Sequence, residues 1–477
     1  MPFWAFDHKR DRERMKPPPG ATAMEKASAH LEAISADEDR MPRHPGMWLL
    51  LMILAAVVGT IVGVLGALFR LSLIEMARGR GAMIAWSHHH GLGGFGWCVP
   101  VCLCAIGAWV ACYLTQRLAP QTAGSGIPRV EAVLRNHLRP AAAWVLPVKF
   151  FGGALSIGSG LALGREGPIV QMGGTIGRLV GDAFDSWVPE PWTLIAAGAG
   201  AGLAVAFNAP LAALIFVVEE LIHRFSARIF CATLMACICG TVALRWLIGD
   251  ATDFGTPRLA LLPAKMLPDY LVLGLLAGLL GVAFNMCLMA SLKTFDLAAR
   301  WPRGAKGALV GAAAGLLAWF APGVVGGGEV IARHAIAYNI PLRVLGGLLL
   351  ARFILTLASY GTGAPGGIFA PLLALGALLG NGFASIETLL FHGPHDPAPY
   401  AIVAMAACFT AIVRSPLTGV VLLLEMTGGW TLILPMMAAS LTAYAVPELL
   451  GNPPIYDSLR DRDEKMELTH QSAAHSA

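Results

Sequence analysis

Long apolar runs alternate along the chain with short polar connections. Met47 to Phe69, Trp97 to Gln116, Ile229 to Leu244, Tyr270 to Leu292 and Leu309 to Pro322 are the clearest, and a helix that crosses hydrocarbon needs about 20 mostly apolar residues. Elsewhere the apolar stretches are interrupted by Gly and Pro. Ala123-Gly124-Ser125-Gly126-Ile127-Pro128 opens one piece and Gly164-Arg165-Glu166-Gly167-Pro168 another, while Asn208-Ala209-Pro210 breaks a third; Gly363 to Pro371 and Arg414-Ser415-Pro416 do the same in the second half. This pattern predicts membrane helices that start and stop within the bilayer, which hydrocarbon tolerates only where protein or a water-filled cavity surrounds the break.

Composition supports the pattern. Of 477 residues, 56% are hydrophobic and 13% charged, too little charge for a soluble globular surface, so the fold class is an all-α polytopic membrane protein. A net charge of +4, dispersed over the connections, excludes a nucleic-acid partner; the lipid bilayer is the partner. Residues 1–46 are polar and interrupted by Pro17-Pro18-Pro19-Gly20, a composition expected to be flexible, with a short helix possible over Met24 to Ile34. Lys9, Arg10, Arg12, Arg14, Lys16, Arg40 and Arg43 place the N-terminus in the cytoplasm by the positive-inside rule, and no secretory signal is visible. Arg70, Arg78, Arg80 and His88-His89-His90 read as a loop before the second span, and Arg117, Arg129, Arg135 and Arg139 as a second cytoplasmic connection. Three adjacent histidines cannot share one face of a helix, so they are read as solvated rather than metal-binding. Nine cysteines lie in or beside apolar runs without paired CxxC spacing and are read as buried small hydrophobes.

The chain also repeats itself. Asn208-Ala209-Pro210-Leu211, followed by an apolar run to Glu219, matches Arg414-Ser415-Pro416-Leu417, followed by a run to Glu425, with the same spacing from Pro to Glu. Gly164 through Gly181 aligns without gaps on Gly363 through Gly380, pairing Gly167 with Gly366, Ile169 with Ile368 and Gly177 with Gly376. Corresponding Gly/Pro-broken segments in two halves point to a transport site at the interface of the repeats.

A helix that begins inside the membrane aims unpaired N–H groups, equivalent to about half a positive charge, at whatever lies before it. That is an anion site. Glycine allows close approach, Pro near the start loses no needed hydrogen bond, Ser125 adds a hydroxyl, and Phe369 offers its backbone N–H. Only Arg165 and Arg414 bring positive side chains to these starts. Glu166 costs about 2.5 kcal/mol or more at membrane depth; among anion donors its carboxylate imitates the permeating ion, and protonation releases it. Glu219 and Glu220 are a second carboxylate pair, read equally as a proton acceptor or as a helix end passing into water. Lys149, in the apolar Val148-Lys149-Phe150-Phe151, needs a partner, for which Glu131 or Glu220 is the candidate. An intramembrane serine protease using Ser125 is disfavoured, because no histidine lies in an apolar span and His223 and His334 read as loop residues.

Gly124-Ser125-Gly126-Ile127-Pro128, Gly164-Arg165-Glu166-Gly167-Pro168 and Gly366-Gly367-Ile368-Phe369-Ala370-Pro371 resemble, in order, the three signature motifs of the CLC chloride channels and chloride/proton exchangers, over about residues 47–456. The resemblance implies a homodimer with one pore per subunit, each subunit an inverted repeat of tilted and broken helices dividing near residues 250–270, and a short cytoplasmic tail over 457–477. It implies that Ser125 and Tyr456 supply hydroxyls, and Ile368 and Phe369 backbone N–H groups, to a central chloride. It further implies that Glu166 is the gating glutamate and Glu220 the inner proton-transfer glutamate, where channel members carry an apolar residue. The expected activity is chloride/proton antiport in the plasma membrane, the inner membrane if bacterial, with no enzymatic activity and no cofactor. A passive chloride channel is the alternative and a fluoride exporter a third. Two departures stand out: Arg129 follows Pro128 where many members have glutamate, and about twenty residues follow Tyr456, so the paired regulatory domains of many relatives are not expected.

Overall fold

The computed structural model describes residues 45–90, 94–184, 191–250, 254–255, 264–391 and 396–475. The cationic N-terminal stretch and the expected helix over Met24 to Ile34 lie outside them. Seventeen α-helices account for the described residues: α1 Pro45–His89, α2 Cys98–Leu118, α3 Ile127–Leu134, α4 Val145–Gly158, α5 Glu166–Ala183, α6 Pro191–Phe207, α7 Pro210–Phe216, α8 Ala227–Ile248, α9 Leu267–Leu297, α10 Ala305–Phe320, α11 Glu329–Ala337, α12 Leu342–Gly361, α13 Phe369–Phe391, α14 Pro397–Val413, α15 Pro416–Thr427, α16 Ile433–Leu449 and α17 Ile455–His475. Seven of them are long and apolar enough to cross a membrane, and the protein is a multi-pass membrane protein.

The long outer helices expose large apolar side chains such as Ile53, Leu103, Met286 and Leu441, as lipid-facing surfaces do. The short, interrupted helices lie inside: α14 is buried along its whole length and α5 along most of it. Inner helices can be short because protein, not lipid, surrounds their ends.

Glycine sets how closely these inner helices approach. A Cβ on Gly177 would lie 1.9 Å from the Leu194 carbonyl of α6, and one on Gly376 2.7 Å from Met405 Cα of α14, so the aligned glycines make equivalent helix contacts in the two halves. Asn208 and Arg414, also aligned, both take left-handed backbone (φ 54° and 76°) as they end α6 and α14 before the next proline.

Three sequence expectations change. The first span does not end at Phe69: α1 runs 45 residues, about 67 Å at 1.5 Å per residue, so Arg70, Arg78, Arg80, His88 and His89 are helical rather than looped. Long basic side chains prolong such a helix by reaching polar partners, as Arg80 does in donating to the Gly158 carbonyl. The histidines diverge, His88 stacking on Trp319 and His90 on Trp86. His334 lies in the last turn of α11, not in a loop. The cysteines are only partly enclosed: Cys104, Cys112, Cys237 and Cys408 are buried, whereas Cys102 and Cys287 are exposed on apolar helices.

Candidate functional site

The three glycine-rich motifs, separated by up to some 240 positions in sequence, are stitched together by their backbones. Gly164 and Gly367 exchange N–H···O bonds of 2.7 Å in both directions, and the Gly366 N–H donates to the Gly124 carbonyl at 3.0 Å. Side chains brace the same junction. Lys149 Nζ donates to the carbonyls of Thr122 (3.0 Å) and Gly124 (2.8 Å), and Ser156 Oγ to that of Pro365 (2.5 Å). The expected carboxylate partner of Lys149 is therefore replaced by two carbonyls of the first motif: burial requires its N–H donors to be satisfied, and these acceptors are nearest.

Helices α3, α5 and α13 start from this junction, within the first, second and third motifs. Pro128 falls in the first turn of α3, where its missing N–H costs nothing. Gly126 (φ 86°) turns the chain into α3, and a Cβ there would meet Gln171 at 2.3 Å. Gly167 is required for a different reason: a Cβ would stand 2.4 Å from Ser125 Oγ and 2.5 Å from the Ser125 carbonyl, so the Ser125 hydroxyl lies against the first turn of α5. Pro168 in that turn and Pro371 in the first turn of α13 belong to the same starts.

Ser125, Glu166, Ile368, Phe369 and Tyr456 are all buried. Ser125 Oγ, Tyr456 Oη and both Glu166 carboxylate oxygens have no hydrogen-bond partner among the described residues, an arrangement that ordinarily costs about 1–3 kcal/mol per group. A Cβ on Gly164 would lie 2.1 Å from Glu166 Oε2 and 3.2 Å from the Ala370 backbone nitrogen, so the carboxylate sits beside the open first turn of α13. The Phe369 ring is packed by Phe409 (centroids 4.5 Å apart), Phe207 (5.6 Å), Phe216 (5.8 Å) and Tyr456 (6.3 Å). Hydroxyls and helix starts enclosed by aromatic rings suit a small, weakly hydrated anion. Arg165 and Arg414 are engaged to the side: Arg165 pairs with Glu329 at 3.0 Å and donates to the Ala206 carbonyl, and Arg414 pairs with Glu448 at 3.2 Å.

The carboxylate pair divides. Both acids lie in a π-helical turn, Val217–Ile222, that extends α7, the kind of irregularity often found at functional sites. Glu219 caps α15, accepting from the N–H groups of Leu417 (3.1 Å) and Thr418 (2.7 Å) and from the Thr418 hydroxyl (2.7 Å). Glu220 is buried and accepts from the Ser415 hydroxyl. Ser415 was visible in the sequence only as part of a helix break. Tyr360, whose hydroxyl accepts the Ser125 N–H at 3.4 Å, gave no sequence signal beyond its place before Gly361-Thr362-Gly363.

Tyr456 opens α17, and α17 docks on α3. Arg460 pairs with buried Glu131 and with Asp457 (2.6 Å), Arg129 with Glu467 (3.1 Å), and His137 with Glu464 (2.8 Å). The tail after Tyr456 is thus tied to α3, the helix that follows Ser125, and Arg129, the departure noted in the first motif, is part of that tie.

The sequence pattern of the family described as "Voltage gated chloride channel" matches residues 107–448. The chain is 40% identical over 437 residues to an H(+)/Cl(-) exchange transporter ClcA of Klebsiella pneumoniae subsp. pneumoniae, covering 89% of this chain and 91% of that protein. It is 39% identical over 430 residues to the protein of the same name in Vibrio parahaemolyticus, covering 88% and 91%. The fold superposes on a slow cyanobacterial Cl-/H+ antiporter with a TM-score of 0.82 at 35% identity, over 89% of this chain and 99% of that one. A CLC-type fluoride/proton antiporter shares the fold at 23% identity, with a TM-score of 0.71 over 87% and 98%. With the three motifs joined at one junction and a sequence match over most of its length, the chain belongs to the voltage gated chloride channel, or CLC, family.

Proposed function

We propose that this protein exchanges chloride for protons across the membrane. The observation that carries the proposal is the pairing of two buried carboxylates of different character. Glu166 stands without a hydrogen-bond partner among the described residues, beside Ser125 and the start of α13, where its ionised form competes with an anion for the same donors. Glu220 is the second, buried in the turn after α7 and bonded to Ser415. In this reading chloride is held by the hydroxyls of Ser125 and Tyr456 and the N–H groups of Ile368 and Phe369. Protonated Glu166 withdraws and admits the anion, and Glu220 passes the proton to and from the cytoplasm. The names of the similar exchangers support the same direction, and the transmembrane unit is read as residues 47–456, working as a homodimer with the N-terminus in the cytoplasm.

The test is simultaneous recording of chloride and proton flux from liposomes holding the full chain. A chloride gradient is expected to drive protons uphill. Chloride flux that leaves pH unchanged would replace exchange with a passive channel, and fluoride carried in preference to chloride would replace the substrate.

A further inference from the structure

Arg165, next to the proposed gate, reaches out of the central site to a surface that the transport reading leaves unused. Its Nη1 lies 3.0 Å from Glu329 Oε1, while its Nε is held by the Ala206 carbonyl at 3.0 Å. Glu329 is the first residue of α11, after Gly328 at φ 99°, so its carboxylate stands by a turn whose N–H groups have no helical acceptors. Arg352 closes the other side. Its side chain is wholly enclosed, and Nη1 donates to the carbonyls of Val324 (2.8 Å) and Gly326 (2.5 Å). Nε and Nη2 have no hydrogen-bond partner among the described residues, and a Cβ on Gly328 would lie 2.6 Å from Nη2, which aims this guanidinium at the start of α11.

With the N-terminus in the cytoplasm, as proposed above, the group faces the opposite side of the membrane. Arg80 of α1 donates to Gly158 and would lie 3.5 Å from a Cβ on Gly326, and Arg80 is about 50 Å along α1 from Pro45, further than the ~30 Å hydrocarbon core. One guanidinium, that of Arg165, pairs with the Glu329 carboxylate, and a second, that of Arg352, stands at the same helix start without bonding to it; the Glu329 side chain is 36% exposed against 7% for Arg165. A buried guanidinium with unspent donors is costly unless an anion answers it, and Glu329 is the anion present.

We propose that Glu329 occupies an outer anion site made by Arg165, Arg352 and the first turn of α11, and that a halide arriving from that face takes the place of its carboxylate. The inference rests on the halide transport proposed above and adds a recruitment step before it. Charge-assisted donors of this kind bind carboxylate and halide in the same place, so the tethered carboxylate sets how much external chloride is needed to load the pathway.

Glu329→Gln removes the competing charge and leaves the donors. In liposomes, its half-saturating chloride on the external face should fall roughly tenfold, the worth of about one charge-assisted contact, while the proton-to-chloride ratio stays at the wild-type value. A half-saturation that is unchanged or raised overturns the proposal and leaves Glu329 a structural tie. If the wild type carries chloride without protons, exchange fails while the half-saturation still reports on Glu329. Should neither protein carry halide, bromide-soaked crystals decide: an anomalous peak between Arg165 and Arg352 in the variant supports the site, and its absence overturns it.

Discussion

Glu219 and Glu425 each cap the helix that leads to the other. Glu219, at the end of the run from Pro210, accepts from the N–H groups of Leu417 and Thr418; Glu425, at the same distance from Pro416, accepts from those of Leu211 (3.2 Å) and Ala212 (2.7 Å). The duplication seen in the sequence is thus a reciprocal contact between the halves, and its acids sit where a helix start stabilises negative charge. Replacing either by Gln leaves two N–H groups of a helix start with a weaker acceptor, at a cost of about 1–2 kcal/mol. Glu219→Gln and Glu425→Gln should each lower the unfolding temperature in detergent while the chloride-to-proton ratio stays unchanged. Because the two caps close one interface, the double variant should lose more or less than the sum.

Glu220, adjacent in sequence to Glu219, should behave in the opposite way. Its carboxylate caps no helix and bonds to the Ser415 hydroxyl, so Glu220→Gln keeps the shape and removes a titrating group. Proton flux is expected to fall at least tenfold with a smaller loss of chloride flux. Glu166→Ala should abolish proton movement and leave chloride flux running, since the tethered anion is gone and the helix starts remain. Equal loss of both fluxes in Glu220→Gln would make that residue structural.

What could be read in advance followed from local chemistry. The motif glycines, the helix starts and the spacing from Pro210 to Glu219 and from Pro416 to Glu425 are short-range signals, and each survives in the fold. The separate fates of Glu219 and Glu220 were not readable, because they depend on Ser415 and Leu417 in the other half of the chain. Lys149 was misassigned for a similar reason: a buried ammonium asks for acceptors, and carbonyls of Thr122 and Gly124 serve as well as a carboxylate. The far end of α1 was missed because arginines at Arg70, Arg78 and Arg80 resemble a loop in composition, whereas Arg78 pairs with Glu75 one turn back and Arg80 reaches the Gly158 carbonyl, contacts made from a continuous helix.

Gly167 tests whether Ser125 has to touch the start of α5. An added methyl would fall 2.4 Å from Ser125 Oγ and 2.5 Å from its carbonyl, and since one neighbour is backbone, rotation of the hydroxyl alone cannot relieve it. Overpacking of this kind costs about 1–3 kcal/mol. Gly167→Ala should weaken chloride binding, measured by calorimetry in detergent, by tenfold or more. Gly323→Ala, where a Cβ meets nothing within 4 Å, should leave it unaltered.

The tail helix carries a pH dependence whose sign can be worked out from Asp463. Burial pushes its carboxyl up to about 6, against the opposing pull of Arg129, Arg462 and Lys149 and with Glu467 adding to the rise. A raised acid favours the protonated form in the folded state, so docking of α17 is penalised as pH climbs from the unfolded value of 3.8 through about 6, and the penalty is complete above that. Asp463→Asn carries no such penalty. Its unfolding temperature should exceed that of the wild type at pH 7.5, and the difference should shrink as pH falls below about 5. Because α17 begins at Ile455 and Tyr456, exchange of the Tyr456 amide, followed by mass spectrometry, should slow in the variant over the same pH range. A variant less stable than wild type at pH 7.5 would mean that attraction to Arg129 and Arg462 outweighs burial, and would reverse the sign.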